Sequence, residues 1–548
     1  MARDAMELAI LWGRLVAIAD EAAVTMVRTA FSTTLREAND YVCMLLDAGG
    51  LAIAENSTAA PSFVGTLPLT LRHVLTKYPA PTWRPGDVVI TNDPWLASGH
   101  LPDLTALSPI FHRDRLVAFA ACMAHHADVG GLLWSADTAE IYEEGLRIPI
   151  CRLYREGIPN EALLELLQAN VRVPGQVMGD LSAQLSAMET LSRGLVELVE
   201  DAQLEDLGAV AAGMQSRAEE AMREAIAAIP DGRYPSSVEM DGFDEPLTIR
   251  LAIEVAGSDM RLDYAGTSPQ VSRAINVPLN NTFSHSAYAL KGVLDPQTPR
   301  NDGSYRPIGV TAPEGCLLNA RFPAAVNARH LTFLFLSAAI FQALAVVIPR
   351  RIIAECGSPQ MQLAYYGLDR EGEPFIYLPF DAPGMGARPT KDGLAATPYA
   401  HNTGGASIEV VENTTPLLVW RKALVPDSGG PGRFRGGCGQ ELLVESLAPG
   451  PVMVSAIGDR VHHPARGVLG GLPGRPAALL RDGTTAMNTK GRSLLAPGER
   501  ILVRTAGGGG YGSPAEREAW RLAADLRSGL VTHDAARRDY GREPGATG

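Results

Sequence analysis

Two short stretches of this chain concentrate the side chains that hold metals and move protons. NDPWLASGHLPD supplies Asp93, His100 and Asp103, and AHHADVGG supplies His125, His126 and Asp128. The chain has 11 histidines in 548 residues, so two H-x-x-D patterns this close together call for a chemical reason. Neutral imidazole and carboxylate are the ligand set of zinc, manganese or iron, and a catalytic site needs about three protein ligands plus an open position for water. His100, Asp103 and His125 provide that number from two segments. Asp93 and Asp128 fit as further ligands or as partners that fix an imidazole tautomer. Pro102 keeps HLPD out of a helix interior, so a loop must present both groups. His126 points opposite to His125 for as long as the strand persists. Spacing alone leaves a second reading open, a polar strand end satisfied by backbone hydrogen bonds.

The surrounding elements place both stretches at strand exits. DVVITNDP reads as a strand running out at Asn92, RLVAFAACMAHH as a strand ending at the histidines, and YVCMLLDAGGLAIAEN as a hairpin turning at Gly49 and Gly50. Side chains from separate segments converge at such exits. An amphipathic helix from Ala5 to about Ala30 precedes them. The whole chain reads as a mixed α+β, multi-lobed body. Residues 1–159 form a strand-rich α/β region with the metal site, 160–232 a helical segment broken near Pro174 and Gly208, 233–353 a mixed α/β region, and 354–548 a Gly/Pro-rich β region with terminal helices. In 233–353, LTIRLAIEVAGSDMRLDYAG alternates as an antiparallel hairpin. In the last region SIEVVEN, PLLVWRKAL, QELLVESL and ERILVRT read as strands. SPAEREAWRLAADLRSG reads as a helix with Ser513 as N-cap and Pro514 at its first position.

Composition excludes several classes. Lys and Arg number 48 against 61 Asp and Glu, a formal charge of −13, which disfavours nucleic acid and anionic membranes as partners. The 6 cysteines show no paired spacing, which argues against disulfides and zinc ribbons and for a cytoplasmic location. The N-terminus is interrupted by Asp4, Glu7, Arg14 and Asp20 and is not a signal peptide. LTFLFLSAAIFQALAVVIP, from Leu331 to Pro349, reads as a buried core helix rather than a membrane span. PDSGGPG reads as a glycine turn rather than a protease nucleophile segment. GGGGYG contains G-x-G-x-x-G, but too little chain follows for a dinucleotide fold, so a turn plus helix cap is the better reading. Cys122, inside an apolar strand, reads as a buried thiol. No P-loop motif occurs, so this chain does not bind ATP in that way.

Beyond single motifs, NDPWLASGHLPDLTALSPIF, LVAFAACMAHHADVGG, YEEGLRIPI, NVRVPGQVMGDLSAQ, GARPTKDG, PDSGGPGRFRGGCGQ, GLPG and GGGGYGSP, in that order, resemble the hydantoinase B/oxoprolinase family over nearly the whole chain. The resemblance implies a B-type subunit of an ATP-dependent cyclic amidohydrolase of hydantoinase, 5-oxoprolinase or lactamase type. An A-type partner binds ATP and phosphorylates the carbonyl oxygen of a small cyclic amide; the B-type chain completes ring opening at a divalent transition metal. In related acetone and acetophenone carboxylases a ketone is carboxylated instead, and a third reading is a non-catalytic scaffold for the A-type chain. The family's metal ligands carry over onto His100, Asp103 and His125. An unstrained amide resists water because resonance weakens its electrophilic carbon; O-phosphorylation removes that donation, and a metal supplies a water of lowered pKa. His126 or Asp128 then takes the proton or holds the water. Arg388 and Lys391 in GARPTKDG, and Arg433 and Arg435 in GRFRGG, are candidates for orienting phosphate or carboxylate, or else ordinary loop charge. EANDYVC keeps Asp40 of the family's early segment but differs around it. A hetero-oligomer such as a dimer of heterodimers is expected.

Overall fold

The computed structural model describes residues 5–542. Its first layer is a seven-stranded sheet built from β1 (Tyr41–Asp47), β2 (Ala52–Glu55), β3 (Val88–Thr91), β4 (Asp103–His112), β5 (Arg115–His125), β6 (Cys151–Arg155) and β7 (Ile158–Pro159), in the order β2-β1-β5-β4-β3-β6-β7. Neighbours are antiparallel throughout. The sheet is buried on both faces, which explains its near-continuous apolar strands. Cys43, Leu45, Ala120 and Cys122 pack on the helices Ala5–Thr29 and Pro174–Asp201. Val42, Met44, Phe119 and Met123 pack on the other side against Phe63, Leu67, Leu71 and Trp83. Cys122 is fully buried, and burial raises its thiol well above the usual range.

A second sheet, ordered β11-β10-β9-β8, comprises β8 (Gly232–Met240), β9 (Leu247–Ala256), β10 (Asp259–Asp263) and β11 (Ile308–Thr311). It packs against the apolar segment that begins at Leu331. That segment is buried as expected, but forms two short helices, His330–Phe333 and Phe335–Leu344. Among the described residues no helix is long and apolar enough to cross a membrane.

The last region forms two facing sheets. One is β13-β12-β16-β19, from β12 (Gln362–Leu368), β13 (Pro374–Tyr377), β16 (Val452–Ile457) and β19 (Lys490–Leu495); the other is β14-β15-β20-β17-β18, from β14 (Leu417–Leu424), β15 (Gln440–Ser446), β17 (Ala478–Arg481), β18 (Thr485–Ala486) and β20 (Arg500–Arg504). Their shared core holds Leu363, Tyr365, Val454, Val444, Ile501 and Val503.

Two local readings change. SIEVVEN is helical over Ile408–Thr414, because the Ser407 side chain accepts from Val410 N–H and nucleates a turn that its β-branched residues do not favour. The segment after Ser513 begins as a 3-10 turn, Pro514–Glu516, and the α-helix starts only at Ala519. Between them Arg517 is drawn inside by Asp392 (2.8 Å) and Asp525 (2.6 Å). Ser513 makes no side-chain cap bond.

The glycine motifs form a layer of backbone packed on backbone. Gly508 N–H donates to Gly437 O (3.0 Å), Gly430 N–H to Gly508 O (2.8 Å) and Gly509 N–H to Glu355 O (2.8 Å). Ser428 in PDSGGPG is spent structurally, its hydroxyl donating to Val425 O at 2.6 Å and accepting from Gly439 N–H at 3.0 Å.

Candidate metal centre

Antiparallel register brings the two motif stretches together. Asp103 opens β4, His125 closes β5, and the two are directly paired. His125 N–H donates to Asp40 O at 3.0 Å, and His126 N–H to Pro102 O at 2.8 Å, which locks both strand exits. His100, Asp103 and His125 are each at most 2% exposed, and one donor atom from each lies within 4.8 Å of the others.

The tautomers follow from the partners. The Asn327 carbonyl, which can only accept, lies 2.9 Å from His100 Nδ1 and 3.0 Å from Trp134 Nε1. His100 therefore carries its proton on Nδ1. Its Nε2 lone pair faces Asp103 Oδ1 at 2.9 Å, and His125 Nδ1 stands 3.1 Å from the same oxygen. His125 Nε2 is buried without a partner. Two lone pairs opposed at this distance require a positive charge between them. Donors bonded to one cation at about 2.1 Å are separated by about 3.0–3.4 Å, so these residues fit a divalent metal.

The second carboxylate oxygen of Asp103 is held elsewhere. Ser98 donates to Oδ2 at 2.5 Å and Arg329 Nη2 at 2.7 Å, while Arg329 Nε donates to Ser98 O at 2.9 Å. Gly99, at φ +90°, makes room for this: a Cβ there would sit 2.9 Å from Arg329 Nε. Burial, helped by Arg329, lowers His100 to about 4, so the imidazole is neutral and ligand-ready at neutral pH. Against the raising effect of burial, the adjacent Arg329 guanidinium helps hold Asp103 well below the usual carboxylate range.

The cluster lines a cavity of about 450 Å³, its open mouth included. Trp134, Phe333, Leu334 and Phe380 give it apolar walls; Asp40, Arg329, His330, Gln360, His401 and Thr403 add polar groups. Asp40 Oδ2 is 3.8 Å from His125 Nδ1, and burial raises the Asp40 carboxyl to about 6. The other singled-out residues are placed elsewhere. His126 donates from Nε2 to Gln184 Oε1 at 2.9 Å, on the helix side of the sheet. Asp128 accepts from Gly130 N–H and from Arg172, whose guanidinium is 3.2 Å away. Asp93 caps the turn at Trp95 N–H (3.1 Å) and lies 3.7 Å from Arg147. Arg388 donates to Asp392 O, Lys391 and Arg433 are exposed, and Arg435 is buried on Asp525. None of these seven lines the cavity.

Glu144 supports the loop behind the site. Its Oε1 accepts from Val326 N–H (2.7 Å), Asn327 N–H (2.8 Å) and the Thr138 hydroxyl (3.0 Å), while Oε2 has no partner. Burial raises this carboxyl to about 7, outweighing those bonds. A folded-state pKa above the unfolded value of 4.5 means that the native state holds the proton longer, so this group's stability contribution falls as pH rises from about 4.5 to 7. Gln can accept the same bonds without ionising. Glu144→Gln is therefore expected to gain up to about 3 kcal/mol relative to the parent between about pH 4 and pH 8, read by paired thermal melts. A constant difference would reject this.

Comparison with known proteins shows the family and the fold. Residues 4–514 match the hydantoinase B/oxoprolinase family. The chain belongs to that family. It is 32% identical to a candidate B-type chain of a D-/L-hydantoinase from Pseudomonas sp. (strain NS671), over 98% of this chain and 95% of that protein. It is 30% identical to the beta chain of the caprolactamase of Pseudomonas jessenii, over 98% of this chain and 96% of that one. The crystal structure of ATP-dependent caprolactamase from the same organism superposes with a TM-score of 0.92 at 29% identity, covering 100% of this chain and 98% of that one. Nucleotide-free acetone carboxylase shares the fold, with a TM-score of 0.89 at 18% identity, covering 99% of this chain and 80% of that chain.

Proposed function

We propose that this chain is the B-type subunit of an ATP-dependent cyclic amidohydrolase, completing the ring opening of a small cyclic amide that an A-type partner has phosphorylated. The observation that carries this reading is the opposition of His100 Nε2 and Asp103 Oδ1, beside His125, at the wall of a partly apolar cavity. Kinship with the beta chain of a caprolactamase supports the substrate class.

His100, Asp103 and His125 would hold the cation. A bound zinc, manganese or iron supplies Lewis acidity and a water of lowered pKa. Arg329 fixes Asp103 and keeps positive charge at the cavity wall, where a phosphoryl or developing oxyanion is stabilised. Trp134, Phe333 and Phe380 exclude bulk water. In ring opening the water oxygen bonds to the activated carbonyl carbon, and its proton passes to a nearby base. Asp40, in the cavity wall, is better placed for this than His126 or Asp128. The ring C–N bond breaks, with nitrogen taking a proton, and a second water releases phosphate from the remaining acyl phosphate.

Co-expression with an A-type partner tests the reading. With ATP and a panel of hydantoins, lactams, 5-oxoproline and ketones, a cyclic amide is expected to be opened with release of a nucleotide product and no need of bicarbonate. Bicarbonate-dependent consumption of a ketone alone would instead place the chain with the carboxylases.

A further inference from the structure

Gln360 lines the cavity, is buried, and its Oε1 has no partner. Its orientation is set by a relay. The carbonyl of Pro379 can only accept, so the Gln362 side chain turns its Nε2 towards it. Gln362 Oε1 is then the acceptor for Gln360 Nε2, at 2.8 Å. This leaves the Gln360 carbonyl oxygen as an acceptor without a donor, held rigid and shielded from water. An unpaired buried acceptor is costly, so the arrangement favours a ligand that supplies an N–H or O–H. Nearby, His401 engages Thr403 through Nδ1 and keeps a free Nε2, and both ring nitrogens of His330 are unpartnered. Trp134, Phe333, Leu334 and Phe380 leave a slot for a small ring.

We propose that Gln360 accepts a hydrogen bond from the ring N–H of the O-phosphorylated cyclic amide, which is retained when the activated ring stays protonated on nitrogen, and that this bond selects N–H lactams and related rings over N-alkyl analogues and ketones. The inference rests on the amidohydrolase reading above and adds the atom that reads the substrate. Ketones carry no such donor. An N-methyl group removes the donor and leaves Oε1 unpaired, and sites built to hydrogen-bond a substrate N–H discriminate strongly for that reason.

The test uses the co-expressed assembly, with the N–H substrate identified by the panel and its N-methyl analogue. Two quantities are measured for the parent and for Gln360→Met: kcat/KM for each ring, and ring-opened product per nucleotide released. The parent is expected to prefer the N–H ring, and Gln360→Met to reduce that preference by about 10- to 100-fold. Product per nucleotide should fall for the N–H ring, because activation at the partner continues while ring opening falters. Unchanged metal content and melting temperature confirm that the variant is folded; if Met does not pack, Gln360→Ser carries the same readout. A variant that keeps both the preference and the coupling overturns the role of Gln360 while leaving the amidohydrolase reading intact. A parent assembly that turns over only a ketone with bicarbonate overturns both.

Discussion

Asp103→Asn is expected to strip the site of its metal and end turnover, whereas Asp40→Asn keeps the metal and still loses turnover. Asp103 is the hub of the cluster: Oδ1 faces both imidazoles, at 2.9 and 3.1 Å, and Oδ2 is held by Ser98 and Arg329. The amide removes the negative charge that balances the cation. Losing a supporting residue at a metal site costs about 10- to 100-fold in affinity, and losing a ligand exceeds that. The change also leaves Arg329 buried without its carboxylate partner. Stability should drop by about 3 kcal/mol, the lower end for a broken buried pair because Asn still accepts hydrogen bonds. Asp40 takes no part in the three-donor cluster. Its conversion to Asn should leave metal content unchanged and reduce kcat by about 10²- to 10⁴-fold, as expected for loss of a general base. Metal analysis beside steady-state kinetics separates the two effects. Equal metal loss in both variants would make Asp40 a ligand rather than a base.

Gly507→Ala should yield no soluble folded protein. A Cβ at this position would lie 1.7 Å from Ser428 O and 2.4 Å from Ser428 C, both backbone atoms. Neither can move away, because neighbouring backbone is knitted across the same layer, with Gly507 N–H on Arg475 O at 3.0 Å and Arg475 N–H on Ser428 O at 2.8 Å. Core clashes of this kind lie in the tail beyond about 4–5 kcal/mol. Gly292→Ala is the control. Gly292 is exposed in the helix Leu279–Leu294, with nothing within 4 Å of a Cβ, so Ala should stabilise by about 1 kcal/mol. Soluble yield and thermal melts read both; a well-behaved Gly507→Ala protein would show that the layer is loosely packed.

The part of the site that rests on local pattern was legible in the sequence. Short apolar runs bounded by turn signals located the strands that run out at Asn92 and His125, and from those exits the convergence of His100, Asp103 and His125 could be anticipated. Arg329 is 226 positions from Asp103 and could be placed only by tertiary packing. The same holds for His330, Gln360 and His401. The NARH segment offered a cue, an arginine and a histidine immediately before a long apolar run, but nothing local linked it to the motif loops. Asp40 was visible as a retained residue, yet its place beside His125 depends on the pairing of Tyr41 with Ala124. His112 shared the local concentration of histidines and lies at the opposite end of β4, about 30 Å away at strand rise, near Glu200. SIEVVEN failed because alternating Val and Ile fit a strand as well as a capped helix, and Ser407 decided between them. The glycine motifs read as turns, while their main use is close approach of backbones from distant segments.

The most direct test is anomalous X-ray diffraction from crystals of the assembly, with metal content measured on the same preparation. About one divalent transition metal per chain, giving a peak bounded by His100 Nε2, Asp103 Oδ1 and the His125 ring, is the expected result. Fully active protein with no metal, or a metal bound away from these three side chains, would contradict the account.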